Sequence, residues 1–327
     1  MDNTNALPDI SQPWVSFCMS TYRRPVLLRQ QLEIILQQSF TNFHIVICDN
    51  DPDASARKVA EDTRDPRVRY FANETNLGMV KSFSRSLSLA TSPYVVMITD
   101  DDPVEPGMLM DFFGIVGEHP GFPIYCGCKR TGKEEGAIEV LGEDRFTFEL
   151  LHPALTTTIL WSSCLLERTA ALEIGGMPDY GSPHLADHAM LALCSRQGGG
   201  VMINRMYSRL SSHDSNFSKS NFKTYYTGCR GFYETIAGAF PPSVYKKGGV
   251  DTLLLHLENW VLSNAFRLKK YFTFQYRDPA ARDEADACIQ QIMDLPFMQP
   301  VRVKYRRRLA AFKIKSIVYY LKYRLFR

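Results

Sequence analysis

The chain has 327 residues, 45% apolar and 22% charged, enough to bury one large core or a core with a smaller appended unit. Its formal charge of +3 hides an asymmetry, because residues 302–327 hold ten Lys or Arg and no acid and the remainder carries 28 basic against 35 acidic residues. That net −7 on the main body argues against general nucleic-acid binding.

Met1 to Pro13 carries neither a basic flank nor an apolar centre, and no early run of about 18 apolar residues follows. No signal peptide or spanning helix is therefore expected, and the expected location is cytoplasmic. Four short apolar, partly β-branched runs come next: Val15 to Met19, His44 to Cys48, Val68 to Phe71 and Tyr94 to Ile98. They predict strands. Between them, Pro25 to Gln38 has a proline in its first turn and Leu27, Leu28, Leu32, Ile35 and Leu36 at helical spacing. Ala54 to Thr63 and Met79 to Ala90 are weaker helices of the same kind. Strand and helix alternating in this way imply right-handed βαβ units and a parallel sheet.

Ligands of such sheets sit outside the carboxyl ends of the strands. The residues there are polar in every case: Ser20 to Arg23, Asp49 to Asp51, Asn73 to Gly78, and Thr99 to Asp102. Beyond Pro106 the segments are mixed, with Phe122 to Cys128 and Thr156 to Leu166 among them and Thr156 to Thr158 read as a strand edge. A helix over Leu185 to Gln197 is stopped by Gly198, Gly199 and Gly200. Val201 to Ile203 is a further strand. From about Ser218 the pattern is helical, with Asp251 capping Thr252 to Lys270 and a second helix over Pro279 to Met293.

The eight cysteines are scattered, and the one close pair, Cys126 and Cys128, does not match a zinc spacing. Buried, reduced thiols are expected. The tail, residues 301–327, places Leu309, Phe312, Ile317, Tyr320 and Leu321 among its basic residues. It fits either peripheral contact with an anionic membrane or a helix docked on the protein with a solvated basic face.

Asp100, Asp101 and Asp102 directly follow the apolar run Tyr94 to Thr99. Three adjacent carboxylates repel one another unless a cation or several donors neutralise them. A divalent ion does so, and hard oxygen ligands select Mg2+ or Mn2+, with water and diphosphate oxygens completing the shell.

Thr21-Tyr22-Arg23-Arg24-Pro25, Cys48-Asp49-Asn50, Asn76-Leu77-Gly78, Tyr94 to Asp102 and Ala186-Asp187-His188 occur in the order of the family 2 glycosyltransferase motifs. Over about residues 14 to 215 the chain resembles that family. The resemblance implies an α/β fold of the GT-A type: a Rossmann-like, mostly parallel central sheet flanked by helices. It assigns nucleotide-sugar binding and catalysis to residues 1–217 and a helical C-terminal extension to residues 218–327.

By the same resemblance Thr21, Tyr22 and Arg24 meet the nucleotide, Asp49 accepts from the base N–H, and Asn76 and Gly78 approach base or diphosphate. An Arg-Asn pair often stands where this chain has Ser84 and Arg85, so either Arg85 or Lys81 is the phosphate contact. Asp100 and Asp101 hold ribose and metal. Asp102 is a metal ligand, paired with Asp100 or with Asp101, and His213 lies near metal or diphosphate. Asp187 takes the place of the catalytic base, with Ala186 where the family has a glutamate.

Sugar transfer passes through an oxocarbenium-like transition state, so the leaving diphosphate needs a cation and the acceptor hydroxyl a base. His184 and His188 share a helical face but lack the H-E-x-x-H glutamate, which favours acceptor contact or packing over zinc. Trp161 is either an acceptor platform or a core residue.

The expected function is inverting, metal-dependent transfer from a UDP- or dTDP-sugar to a hydroxyl of a glycan or lipid-linked saccharide, at the inner face of a membrane. The alternatives are a Mg2+-dependent phosphotransferase or phosphatase with an aspartate nucleophile, and a non-catalytic sugar- or membrane-binding module. A nucleotidyltransferase would need a Gly-rich loop where Ser20 to Pro25 has no glycine, and no P-loop pattern occurs.

Overall fold

The computed structural model describes residues 12–211 and 221–311. Its main sheet has eight strands: β1 (Val15–Thr21), β2 (Phe43–Asp49), β3 (Val68–Ala72), β4 (Tyr94–Thr99), β5 (Ile124–Gly127), β6 (Ile138–Leu141), β7 (Cys164–Glu167) and β8 (Gly200–Ile203). The spatial order is β3-β2-β1-β4-β7-β5-β8-β6. β1 pairs in parallel with β2 and β4, and β2 with β3. β7 runs antiparallel to both β4 and β5, β5 and β8 are parallel, and β6 closes the edge antiparallel to β8.

The parallel half arises from the strand periodicity. Side chains alternate across a strand, so Val15, Phe17 and Met19 enter one core while Cys18 enters the other. The first core is covered by α1 (Pro25–Ile35), α2 (Arg57–Thr63) and α4 (Met108–Glu118). The opposite face packs α3 (Met79–Leu89), α5 (Glu143–Leu150), α6 (Arg168–Glu173) and α7 (Ala186–Cys194). Both faces being covered explains why β2 and β4 read as unbroken apolar runs.

The sheet's second half departs from the local pattern. Thr156 to Thr158 form a turn, not a strand edge, and β7 begins only at Cys164. α7 ends at Cys194, continued by a single 3-10 turn, Ser195–Gln197, and Gly198 at φ 130°. Gly199 is required by space as well as by its φ of +82°: a Cβ there would lie 2.1 Å from the Leu141 carbonyl oxygen.

Three longer helices follow: α8 (Tyr225–Ala239), α9 (Thr252–Lys270) and α10 (Pro279–Met293), with a small ribbon of β9 (Lys246–Lys247) and β10 (Val250–Asp251) before α9. Asp251 caps α9 by accepting from the Leu254 N–H at 3.0 Å. Tyr225, Phe232, Leu257, Val261, Ile289 and Met293 belong to the same buried cluster as Cys126 and Met190, so this region shares a core with the sheet. Every cysteine is buried and none is in a disulfide; burial pushes thiols such as Cys18 and Cys194 above their ordinary range.

A further helix over 299–311 begins the basic tail. It docks on the protein: Val301 and Tyr305 are buried, and Arg308 donates to Glu258, which has no exposed surface, at 2.9 Å and also to Asn259. Lys304 stands 3.6 Å from the same carboxylate. Removing one partner of a buried charge leaves the other uncompensated, so Arg308→Ala is expected to cost about 1–3 kcal/mol, with Lys304 retaining part of the pairing. The check is a urea titration; an unchanged midpoint would mean that this docking contributes nothing. The remainder of the tail, 312–327, lies outside the described residues. No helix among the described residues is long and apolar enough to cross a membrane.

Candidate active site

The strand order reverses at β1, from which the chain builds outward through β2 and β3 and then returns to β4 on the other side. Open α/β sheets form their crevice at the carboxyl end of such a switch. Here Thr21, ending β1, donates from Oγ1 to Asp100 Oδ2 at 2.7 Å, joining the two strand ends. Arg23 adopts a left-handed φ of 55° and Pro25 opens α1, so the chain turns sharply and Arg24 comes back over the triplet. Its Nη1 donates to Asp100 at 3.2 Å and to Asp101 at 3.1 Å.

After β4, Pro103 and Pro106 prevent further strand pairing of the ordinary kind. Val104 instead bridges Ser208, and Glu105 N–H donates to the Tyr207 carbonyl at 2.7 Å. The segment beyond β8 is thereby held beside the triplet, ending at Ser211, whose backbone bonds the Asp102 carboxylate. His213 lies outside the described residues.

Asp100 and Asp102 are almost fully buried. Burial first, then the neighbouring Asp101 charge, raises Asp100 to about 6 and Asp102 to about 7. A carboxylate pair so penalised when ionised suits a divalent cation. Among the described residues no three acidic, His or Cys side chains converge as a cage. An ion here would take one or two carboxylates, with water and diphosphate oxygens completing its shell.

A cleft of about 250 Å³ opens at this edge, lined by Ser20, Thr21, Tyr22, Arg24, Asn50, Asn76, Gly78, Met79, Phe83, Thr99 and Asp100. Five of the residues expected at the nucleotide, together with Asp100, therefore meet in one cavity. Gly78, at φ +79°, lets the chain swing into the start of α3, so a helix N-terminus faces the cleft.

Asp49 does not line this cleft, a correction to its expected place on the base. It has no exposed surface, and it accepts from the Asp51 and Ala56 N–H groups and from the Tyr70 hydroxyl, at 3.0, 2.9 and 2.7 Å. Its carboxylate shapes the loop after β2. The neighbouring Asn50 faces the cavity instead, donating to Asn76 at 2.8 Å and accepting from Asn73 and from the Leu77 N–H. Asn50 stood in the same motif as Asp49; only the twofold alternation of a strand end distinguishes them.

Arg85 is likewise turned away. Its guanidinium donates to the Ala72 carbonyl at 3.1 Å and to Asn73, fastening α3 to the end of β3. Lys81 is exposed, 4.0 Å from Asp179, and lines no part of the cleft. Trp161 is a core residue and not an acceptor platform: it is buried, with its ring edge-on to Phe83 at 4.6 Å.

A second cavity of about 310 Å³ is lined by Thr156, Leu160, His184, Asp187 and His188 among others. Asp187 is in the first turn of α7, part-exposed, with its carboxylate 4.0 Å from His188 Nε2. Leu185, just before α7, has a left-handed φ of 64°, unusual for an apolar side chain and of the kind that collects at functional sites. His188 Nδ1 shares a hydrogen bond of 2.8 Å with His256 Nε2, and His256 Nδ1 meets Thr156 Oγ1 at 3.1 Å. His184 bonds the Asn221 carbonyl at 3.2 Å, so the histidine pair does not converge on a zinc site. Burial lowers His184 to about 4.

Trp260, Ser263, Asn264 and Arg267 of α9 also line this cavity. These residues carried no sequence signal. They read as part of an ordinary amphipathic helix, and their proximity to Asp187 depends on how α9 packs.

Residues 16–171 match the family model described as glycosyl transferase family 2. A putative colanic acid biosynthesis glycosyl transferase, WcaA of Escherichia coli K12, is 27% identical over 31% of this chain and 37% of its own length. The GalNAc(5)-diNAcBac-PP-undecaprenol beta-1,3-glucosyltransferase of Campylobacter jejuni is 27% identical over 30% of this chain and 32% of its own length. The chain thus spans well under half the length of the curated relatives it matches.

In fold, the mannosyltransferase PcManGT of Pyrobaculum calidifontis, solved with GDP-Man and Mn2+, superposes with a TM-score of 0.55 at 15% identity, covering 95% of this chain and 89% of that one. TarS 1-349 of S. aureus superposes at 0.54 with 15% identity, covering 90% and 91%. The mostly parallel sheet, its C-terminal helices and the matched segment agree: residues 16–171 form a glycosyl transferase family 2 segment within this fold.

Proposed function

We propose that the chain transfers a sugar from a nucleotide-diphosphate donor, UDP- or dTDP-linked, to a hydroxyl of a glycan or lipid-linked saccharide, with inversion and with a divalent metal. The observation that carries this reading is the joined edge of β1 and β4. Thr21, Arg24 and Asp100 line one cleft with Gly78 and Met79 at the N-terminus of α3, and Asp187 lines the second cavity.

The donor's nucleoside occupies the first cleft, with Asn50 and Asn76 presenting amide donors and acceptors to its base and Tyr22 offering a ring face. Its diphosphate lies toward Gly78 and Met79, where the helix dipole favours negative charge. Asp102 with Asp100 or Asp101 holds Mn2+ or Mg2+, which supplies charge stabilisation to the leaving diphosphate. The complexes of PcManGT with GDP-Man and Mn2+ and of TarS 1-349 with UDP-GlcNAc support this type of donor.

The acceptor lies in the second cavity. Asp187 takes its hydroxyl proton as the oxygen attacks the anomeric carbon, the bond from that carbon to the diphosphate breaks, and the nucleoside diphosphate leaves with the bonding electrons. Attack opposite the leaving group inverts the centre. His188, braced by His256 and Thr156, fixes one side of Asp187's surroundings.

Both oxygens of Asp100 are engaged by Thr21 and Arg24, which disfavours its use as a phosphotransferase nucleophile. Contact with an anionic membrane would draw on the exposed Arg306 and Arg307 and on residues 312–327, since Arg302, Lys304 and Arg308 are paired with acids on the protein.

Titration with UDP, dTDP and GDP, each with Mn2+ and with chelator, tests the donor reading. One nucleotide is expected to bind with micromolar affinity and to raise the melting temperature only with metal present. If none binds, the first cleft is not a nucleotide site.

A further inference from the structure

Arg267 lines the cavity that also holds Asp187, and among the described residues neither Asp187 nor any other carboxylate forms an ion pair with it. One of its terminal nitrogens donates to the Tyr225 hydroxyl at 3.1 Å and to the Asn264 side-chain oxygen. Both partners are neutral. Its Nε is buried and makes no hydrogen bond. A guanidinium cannot shed its proton to relieve this, and its planar fork matches the two oxygens of a carboxylate or phosphate. Arg24 and Arg130, also part-buried, are by contrast each paired with two carboxylates.

The same face of α9 carries Trp260 about two turns earlier and Ser263 and Asn264 between, all lining the cavity. Trp260 is braced edge-on by Tyr225 at 4.8 Å and, at a tilt, by His184 at 5.9 Å. It is only partly buried, leaving part of an aromatic ring beside the positive charge. Aromatic surface, hydroxyl and amide groups, and one unpaired guanidinium suit a sugar that bears an anionic group.

We propose that this cavity selects an anionic acceptor, a saccharide carrying a carboxylate or a phosphate that pairs with Arg267 while its hydroxyl is presented to Asp187. The inference rests on the second cavity being the acceptor side of the glycosyl transferase site. Arg267 sets specificity. It is not needed for donor binding, because it lines the second cavity and not the first.

The test is calorimetric binding of glucose, glucuronate and glucose 1-phosphate to the full chain with the first cleft saturated by UDP and Mn2+. At least one anionic sugar is expected to bind about tenfold or more tightly than glucose, as suits a charge-assisted pair. Comparing glucuronate with glucose 1-phosphate distinguishes carboxylate from phosphate as the natural group. Arg267→Gln is expected to abolish the preference and Arg267→Lys to retain part of it. Ser263→Asp, which supplies an internal partner four residues before Arg267, is expected to abolish it with the arginine still in place.

Equal or absent binding of the three sugars overturns the proposal, as does a preference that persists in both Arg267→Gln and Ser263→Asp. UDP binding is read separately in the same titrations. Its failure would count against the donor reading and leave the comparison of sugars intact.

Discussion

Replacing Asp187 with asparagine is expected to reduce kcat for sugar transfer by about 100- to 10,000-fold, the range that a positioned general base contributes. The substitution preserves shape and removes the acceptor of the proton. Asp187 stands at the start of α7, where the helix dipole favours its charge, and it is part-exposed in the cavity, so a substrate hydroxyl can reach it. Affinity for the nucleotide is expected to be unchanged, because Asp187 lines the second cavity and the nucleotide residues line the first. The measurement is released nucleoside diphosphate under saturating donor, with nucleotide binding measured on the same variant. A variant that turns over like the parent would remove Asp187 from the chemistry.

Asp102→Asn is expected to reduce metal-dependent transfer by a similar factor of about 100 to 10,000, since Lewis-acid stabilisation is worth several kcal/mol and each 1.36 kcal/mol is tenfold. Its pH behaviour gives an independent readout. Asp100 and Asp102 stand at about 6 and 7, burial being the first cause, while an unfolded aspartate titrates near 3.9. Between those values the folded state holds more protons than the unfolded one, so the metal-free protein is expected to lose stability as pH rises from about 4 to 7.

A divalent ion reverses that trend by binding the ionised carboxylates. The rise in melting temperature on adding Mn2+ is therefore expected to be larger at pH 7.5 than at pH 5.5. Asp102→Asn is expected to flatten both dependences. Full activity and a full Mn2+ shift in the variant would sink the metal role of Asp102.

The first half of the sheet was legible because its signals are local. Val15 to Thr21, Phe43 to Asp49 and Tyr94 to Thr99 are apolar on both faces, as buried parallel strands must be, and Pro25 and Gly78 mark where the next helices start. Strand ends then carried the polar residues to one edge, so Thr21, Tyr22, Arg24, Asn76, Gly78 and Asp100 were placed in a common cleft by topology alone. The second half was less legible. β5, β7 and β8 each have four residues, too short for periodicity to separate from a turn.

Side-chain direction was not legible at all where a partner from another element decides it. Asp49 and Asn50 differ by one position at a strand end; Tyr70 from β3 and the N–H of Ala56 draw the first inward, and the second is left to the cleft. Arg85 has the composition of a phosphate ligand, yet the Ala72 carbonyl captures it. Trp161 is buried because Phe83 of α3 lies against it.

The sequence by itself determined the alternation of strands and helices, the order of the motifs and the position of an aspartate triplet at the end of the fourth strand. These follow from covalent spacing and from the period of each element, whereas the burial of Asp100 and Asp102 and the switch in strand order are set by the fold. The tertiary structure alone decided which carboxylates and amides face the cleft, that residues 301–311 dock through Glu258, and that Trp260 and Arg267 of α9 complete a cavity with Asp187. Those outcomes depend on which donors and apolar surfaces meet across the chain, and a buried polar group turns toward whichever partner satisfies it.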